Sequence, residues 1–118
     1  MDDTRPIFVQ IAEQIENDIV SGDIAEETPI PSINEFAAYH RINPATALKG
    51  VTRLVDDGIL YKKRGIGMFV TTGAQSRLIT ARQERFADDF VGPLLAEAAK
   101  LGIGTDQLTE MIRKEARR

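Results

Sequence analysis

The sequence predicts a mainly α fold with one small β-hairpin, an α+β arrangement that ends in a short helical tail. Three observations point there. Apolar residues recur at three- and four-residue spacing through most of the chain, and two runs of strand formers flank Arg64-Gly65-Ile66-Gly67. After Gly73 the pattern shifts to long amphipathic segments with no further strand signal.

The first helix is expected over residues 6 to 21, where Ile7, Phe8, Ile11, Ile15 and Ile19 form one apolar stripe among polar neighbours. Pro6 suits its first turn and Gly22 its C-terminal cap. Residues 23 to 31 contain Pro29 and Pro31, which bar a helix and allow at most a short extended edge piece. Ser32 and Glu35 have the spacing of a capping box, so a second helix starts there and ends near His40, with Phe36, Ala37 and Tyr39 as its apolar side.

Arg41 to Pro44 is a turn. Asn43 is an N-cap candidate, and Pro44 fits a first helical position, which needs no amide donor. The third helix is expected from Pro44 to about Asp57, stopped by Gly58. Ala47, Val51, Leu54 and Val55 make its buried face; Ala45, Thr46, Lys49 and Arg53 lie opposite. A polar-basic stripe that starts at a helix N-terminus is what entry into a DNA major groove requires. Strands at 59–63 and 68–72 complete a helix-turn-helix followed by a hairpin, the layout of a winged helix-turn-helix.

The tail should begin near Gln75 as a long amphipathic helix, kinked or broken at Gly92-Pro93. Gly102 to Gly104 then turns, and Thr105 caps a last helix. The expected domains are 1–72 and 73–118. Forty-six residues of tail are too few to bury their own apolar surface. Phe86, Phe90, Leu94, Leu95, Leu108, Met111 and Ile112 are therefore expected to pair two copies.

Bulk properties narrow the function. There is no Cys, which excludes disulfides and thiolate chemistry; no apolar run approaches the ~20 residues of a membrane span. The acidic N-terminus lacks the apolar core of a signal peptide, so a cytoplasmic protein is expected. No nucleophile set, phosphate loop or metal-ligand cluster appears, so neither an enzyme nor a cofactor or metal site is expected. His40 has no partner ligands, and Glu84, Asp88 and Asp89 read as a solvated helix face. Net charge is −3, but residues 41 to 64 hold six bases against two acids, a local +4, whereas residues 2 to 35 hold one base against nine acids, a local −8. The positive charge gathers on the expected helix-turn-helix and wing, which favours a polyanionic partner.

With these pieces in place, the sequence resembles the DNA-binding domain of GntR-family bacterial transcription regulators. The resemblance rests on Pro6 to Ile11, Ile30-Pro31-Ser32, Asn43-Pro44-Ala45-Thr46, Leu54 to Leu60 and Arg64 to Val70, in order, over residues 5 to 72. The short tail is similar to that of the small YtrA-like subfamily, where it serves dimerisation. The resemblance implies a homodimeric repressor in which helix 44–57 reads a palindromic double-stranded operator, the wing (59–72) grips it, and a small effector can modulate the response. It assigns Thr46 to a phosphate or thymine methyl, Lys49 to a guanine edge or phosphate, Arg53 to a phosphate, and Arg64 and Gly65 to the minor groove or backbone. Ser32 would aim its helix at a phosphate; Asn43 and Ala45 border the reading surface. Two departures stand out: Asn34 occupies the place of a DNA-touching Arg, and Glu26-Glu27 replace a Pro-Gly turn. Weaker or altered operator binding and a looser turn are expected from them. The rival reading is a winged helix that binds protein partners rather than DNA.

Overall fold

A computed structural model describes residues 4–118. Six helices and two strands follow the order expected: α1 (Ile7–Ser21), α2 (Ile33–His40), α3 (Pro44–Asp56), β1 (Leu60–Lys63), β2 (Gly67–Val70), α4 (Ala74–Phe86), α5 (Gly92–Lys100) and α6 (Thr105–Ala116). A π-helical segment, Ala87–Val91, joins α4 to α5. The chain divides into two compact units, one ending at Thr80 and one spanning Ala81–Arg118.

In the first unit, α1 and α2 pack on α3. Ile11, Ala12, Ile15 and Ile19 meet Phe36 and Ala37 of α2, Val51 and Leu54 of α3, and Leu60 and Val70 of the hairpin in one core. Gly50 sets the closeness of α1 to α3: a Cβ placed there would stand 2.8 Å from the Phe8 carbonyl oxygen. The helix ends obey local chemistry. The Ser32 hydroxyl accepts from the Glu35 amide at 3.2 Å, Asn43 Oδ1 accepts from the Ala45 amide at 2.7 Å, and Gly22 closes α1 at φ +86°. Arg41 closes α2 in the left-handed region, at φ +56°, and so makes the sharp turn into α3.

The strands are shorter than expected. Residues 59, 71 and 72 lie outside the ladder, which runs Leu60↔Val70, Tyr61↔Phe69, Lys62↔Met68 and Lys63↔Gly67. The connector supplies a third, edge piece: Pro29 bridges Phe69, while the amides of Glu27 and Ile30 donate to Val70 and Met68 at 2.8 and 2.9 Å. Glu26 and Glu27, which stand where the resemblance expects a Pro-Gly turn, both have partners here. Glu27 takes up φ +61°, and its carboxylate accepts from the Tyr61 and Thr72 hydroxyls. Glu26 accepts from the Gln75 amide at 3.1 Å and so caps the start of α4.

The first two turns of α4 belong to this unit. Ala74 and Leu78 are buried in its core, and Arg77 donates to the carbonyls of Asp57 and Gly58, just past the end of α3. This places the end of the compact unit eight residues beyond the 72/73 boundary expected from composition.

In the second unit, helical structure runs through Gly92-Pro93 without a break. The Gly92 amide bonds to the Ala87 carbonyl, five residues back. The π-helical turn widens the spiral where Pro93 lacks an amide and its ring would crowd the preceding turn. Gly104, not Thr105, is the N-cap of α6, and Thr105 is its first helical residue. Tyr39 also departs from expectation: it is 84% exposed rather than packed.

Candidate nucleic-acid interface

The outward face of α3 is set by what the helix buries. Ala47, Gly50, Val51 and Leu54 turn inward. Ala45, Leu48, Lys49, Thr52 and Arg53 remain exposed, and Thr46 is partly covered. The two flanks of this face differ. Thr46 and Arg53 lie one turn either side of Gly50, the residue that packs on α1. Lys49 leans the same way, its Nζ 4.1 Å from the centre of the Phe8 ring. A contact of this kind at an exposed site is worth ~0.5–1 kcal/mol, enough to bias a lysine rotamer and weak enough to release it to a phosphate.

Leu48 lies on the opposite flank. It lines a groove with Ser32, Ile33 and Glu35 at the start of α2, and with Lys62, Ile66, Gly67 and Met68 of the hairpin. Sequence reasoning missed Leu48, Thr52, Lys62 and Ile66. The available signal was helical phase: Leu48 falls outside the stripe of Ala47, Val51 and Leu54 that the core uses.

The hairpin divides its bases between faces. Lys63 Nζ lies 4.2 Å over the Phe69 ring, whereas Lys62, one residue earlier, faces the groove. At the tip, the Ile66 amide donates to the Lys63 carbonyl at 2.9 Å, and Gly65 holds φ +77° in the third position of that turn. Glycine is favoured there by geometry. Arg64, Gly65 and Ile66 are all exposed, so the tip is open to a duplex.

Asn34 is exposed in the first turn of α2, beside Ser32, where it offers amide hydrogen bonds without charge. Ser32 and Asn43 both use their side-chain oxygens in capping. For Asn43, this makes positioning of α3 its demonstrated role. Among the described residues, the clear acid–base perturbation involves Glu27 and Tyr61, on the connector and first strand. The Tyr61 hydroxyl bond, then that of Thr72, holds the Glu27 carboxyl below its ordinary value, and the same bond raises Tyr61. Among the described residues, no cluster of His, Cys, Asp and Glu could hold a metal ion, and no helix is long and apolar enough to cross a membrane. His40 stacks on Phe36 with ring centres 4.3 Å apart.

In the tail, Phe86, Phe90, Leu94, Leu95, Met111 and Ile112 are exposed, and the Phe86 and Phe90 rings lie 5.3 Å apart. Leu108 differs from the rest of the expected pairing set. It is 7% exposed within the single chain and has little surface left to offer.

The comparisons with known proteins agree with this geometry. The family described as "Bacterial regulatory proteins, gntR family" matches residues 8–70. The transcriptional repressor NagR of Bacillus subtilis is 36% identical over 66 residues, 56% of this chain, which spans only 27% of NagR's length. The repressor YtrA of the same organism is 26% identical over 111 residues, 94% of this chain and 85% of YtrA. A GntR family transcriptional regulator from Listeria monocytogenes has a TM-score of 0.74 at 28% identity, covering 97% of this chain and 98% of that one. The AraR DNA-binding domain in complex with operator ORX1 has a TM-score of 0.55 at 30% identity, covering 60% of this chain and 87% of that one. The family match takes in nearly all of α1 together with the connector, the helix-turn-helix and the hairpin, and the last three build the exposed groove. The chain belongs to the gntR family of bacterial regulatory proteins, DNA-binding transcription regulators rather than enzymes.

Proposed function

We propose that two copies of this chain pair through the tail and repress transcription by binding a palindromic operator in the cytoplasm. The observation that carries this reading is the placement of α3, the start of α2 and the basic hairpin around one open groove. Each copy would set α3 in the major groove, its N-terminus leading, with Ser32, Asn34, Asn43, Ala45, Thr46, Lys49 and Arg53 along the duplex. Arg64 and Gly65 would follow the adjacent backbone or minor groove. Pairing through Phe86, Phe90, Leu94, Leu95, Met111 and Ile112 would place the two helices about one turn (~34 Å) apart. An effector, in this reading, is a small molecule that alters the pairing of the tails.

The test is selection of bound sites from a random duplex pool by the full chain, followed by a size measurement of the complex. An enriched palindrome bound by two chains is the expected result. Affinity should fall with salt at a slope set by ~3–5 neutralised phosphates per chain. Absence of any enriched site would overturn the reading in favour of a protein-binding winged helix. Lys49→Ala is expected to weaken operator binding; unchanged affinity would remove Lys49 from the contact set.

A further inference from the structure

We propose that Leu48 reads thymine: its side chain meets a thymine C5-methyl in the major groove, so each half-site carries a thymine at a fixed position. The inference rests on the operator-binding reading above and adds what that surface selects. Leu48 is 47% exposed on α3 and makes no part of the buried core. It stands between Ala45, three residues before it, and Thr52, four residues after it, both exposed. These three share one helical stripe, and each presents a methyl group. Lys49 is drawn toward Phe8 on the other flank. Of the three, Leu48 lines the groove, whose rim carries Ser32, Glu35 and Lys62.

A duplex offers a partner to an exposed apolar side chain on this helix face. Phosphates answer the bases, and among base edges in the major groove only thymine presents a methyl group. A guanine would face Leu48 with acceptors that it cannot satisfy, so the same contact penalises guanine as well as favouring thymine.

The test uses the full chain and the duplex it enriches from a random pool, with each thymine of the half-site replaced in turn by uracil. Uracil keeps the base pairing and removes only the methyl. One position per half-site should lose about fourfold in affinity per methyl removed. Leu48→Ala should bind the uracil and thymine duplexes alike, and Leu48→Met should retain the discrimination. Because Leu48 lies outside the core, both variants should melt with the parent protein. Indifference of the parent to every uracil substitution would overturn the inference, as would unchanged discrimination in Leu48→Ala or a half-site without thymine. In each of these cases operator binding itself still stands. Failure to enrich any duplex would remove both readings together.

Discussion

Gly50→Ala sets two well-measured effects against each other. In a helix interior, alanine is favoured over glycine by about 1 kcal/mol, so propensity alone predicts a more stable protein. The packing predicts the reverse. The added Cβ would lie 2.8 Å from the Phe8 carbonyl oxygen, 2.9 Å from Ile11 Cγ2 and 3.1 Å from Ile11 Cβ. The first is backbone and the others belong to a core residue of α1 with no exposure, so α1 and α3 must move apart. Overpacking of this kind costs ~1–3 kcal/mol, and contact with backbone puts this case at the upper end. The net destabilisation is then about 2 kcal/mol, a fall of ~10 °C in the melting temperature of a domain of this size. Thermal and urea unfolding followed by circular dichroism would measure it. Gly92→Ala is the control, since its Cβ would meet only the Ala87 carbonyl oxygen at 3.6 Å; neutrality or a small gain is expected. A Gly50→Ala protein as stable as the parent, or more so, would show that α1 and α3 do not approach this closely.

Three further outcomes follow from the capping, the connector and the tail. Asn43→Ala removes the 2.7 Å bond to the Ala45 amide and should cost ~1 kcal/mol in urea unfolding, with Asn43→Asp largely restoring it. Glu27 has a folded-state pKa below its ordinary value of 4.5, mainly because Tyr61 and then Thr72 donate to it. Its contribution to stability is therefore fully present above that value and is lost as pH falls through the folded-state pKa. The stability difference between the parent and Glu27→Gln, measured by urea unfolding, should shrink on acidification below pH 4.5; a gap independent of pH would contradict the role of this carboxylate. Finally, Phe90→Glu places a charge on a residue 63% exposed in the single chain. It should leave the fold intact but shift sedimentation from dimer to monomer and weaken operator binding at least tenfold; a parent protein that sediments as a monomer would sink the pairing proposal.

The parts of this fold that were legible in the sequence are those determined by neighbours along the chain. Ser32, Asn43, Gly22 and Gly58 announce helix ends because capping involves residues only a few positions apart. The edge piece at Pro29 was less visible: two prolines argue against a ladder, yet Glu27 and Ile30 still donate to β2. Glu26 and Glu27 looked like lost turn rigidity because their partners, Tyr61, Thr72 and Gln75, are more than thirty residues away. At the candidate interface, charge drew attention to Lys49, whereas the structure brings Leu48 to the groove. An apolar residue on a helix reads first as core, and only its phase against Ala47, Val51 and Leu54 reveals otherwise. The π-helical turn before Pro93 was similarly hidden, since proline signals a disturbance without specifying how the backbone absorbs it.

The two prolines of the connector also bear on aggregation. The edge piece lies along β2, and a strand there would ordinarily offer its outer amides to any passing chain. On this strand, the amides of Glu27 and Ile30 point inward to β2, Pro29 and Pro31 have none, and the Thr28 amide bonds to the Ala25 carbonyl. The wing therefore has an edge that cannot readily template another strand. On this side the sheet is guarded against edge-to-edge stacking, and the large exposed apolar side chains of the tail lie on helical surfaces.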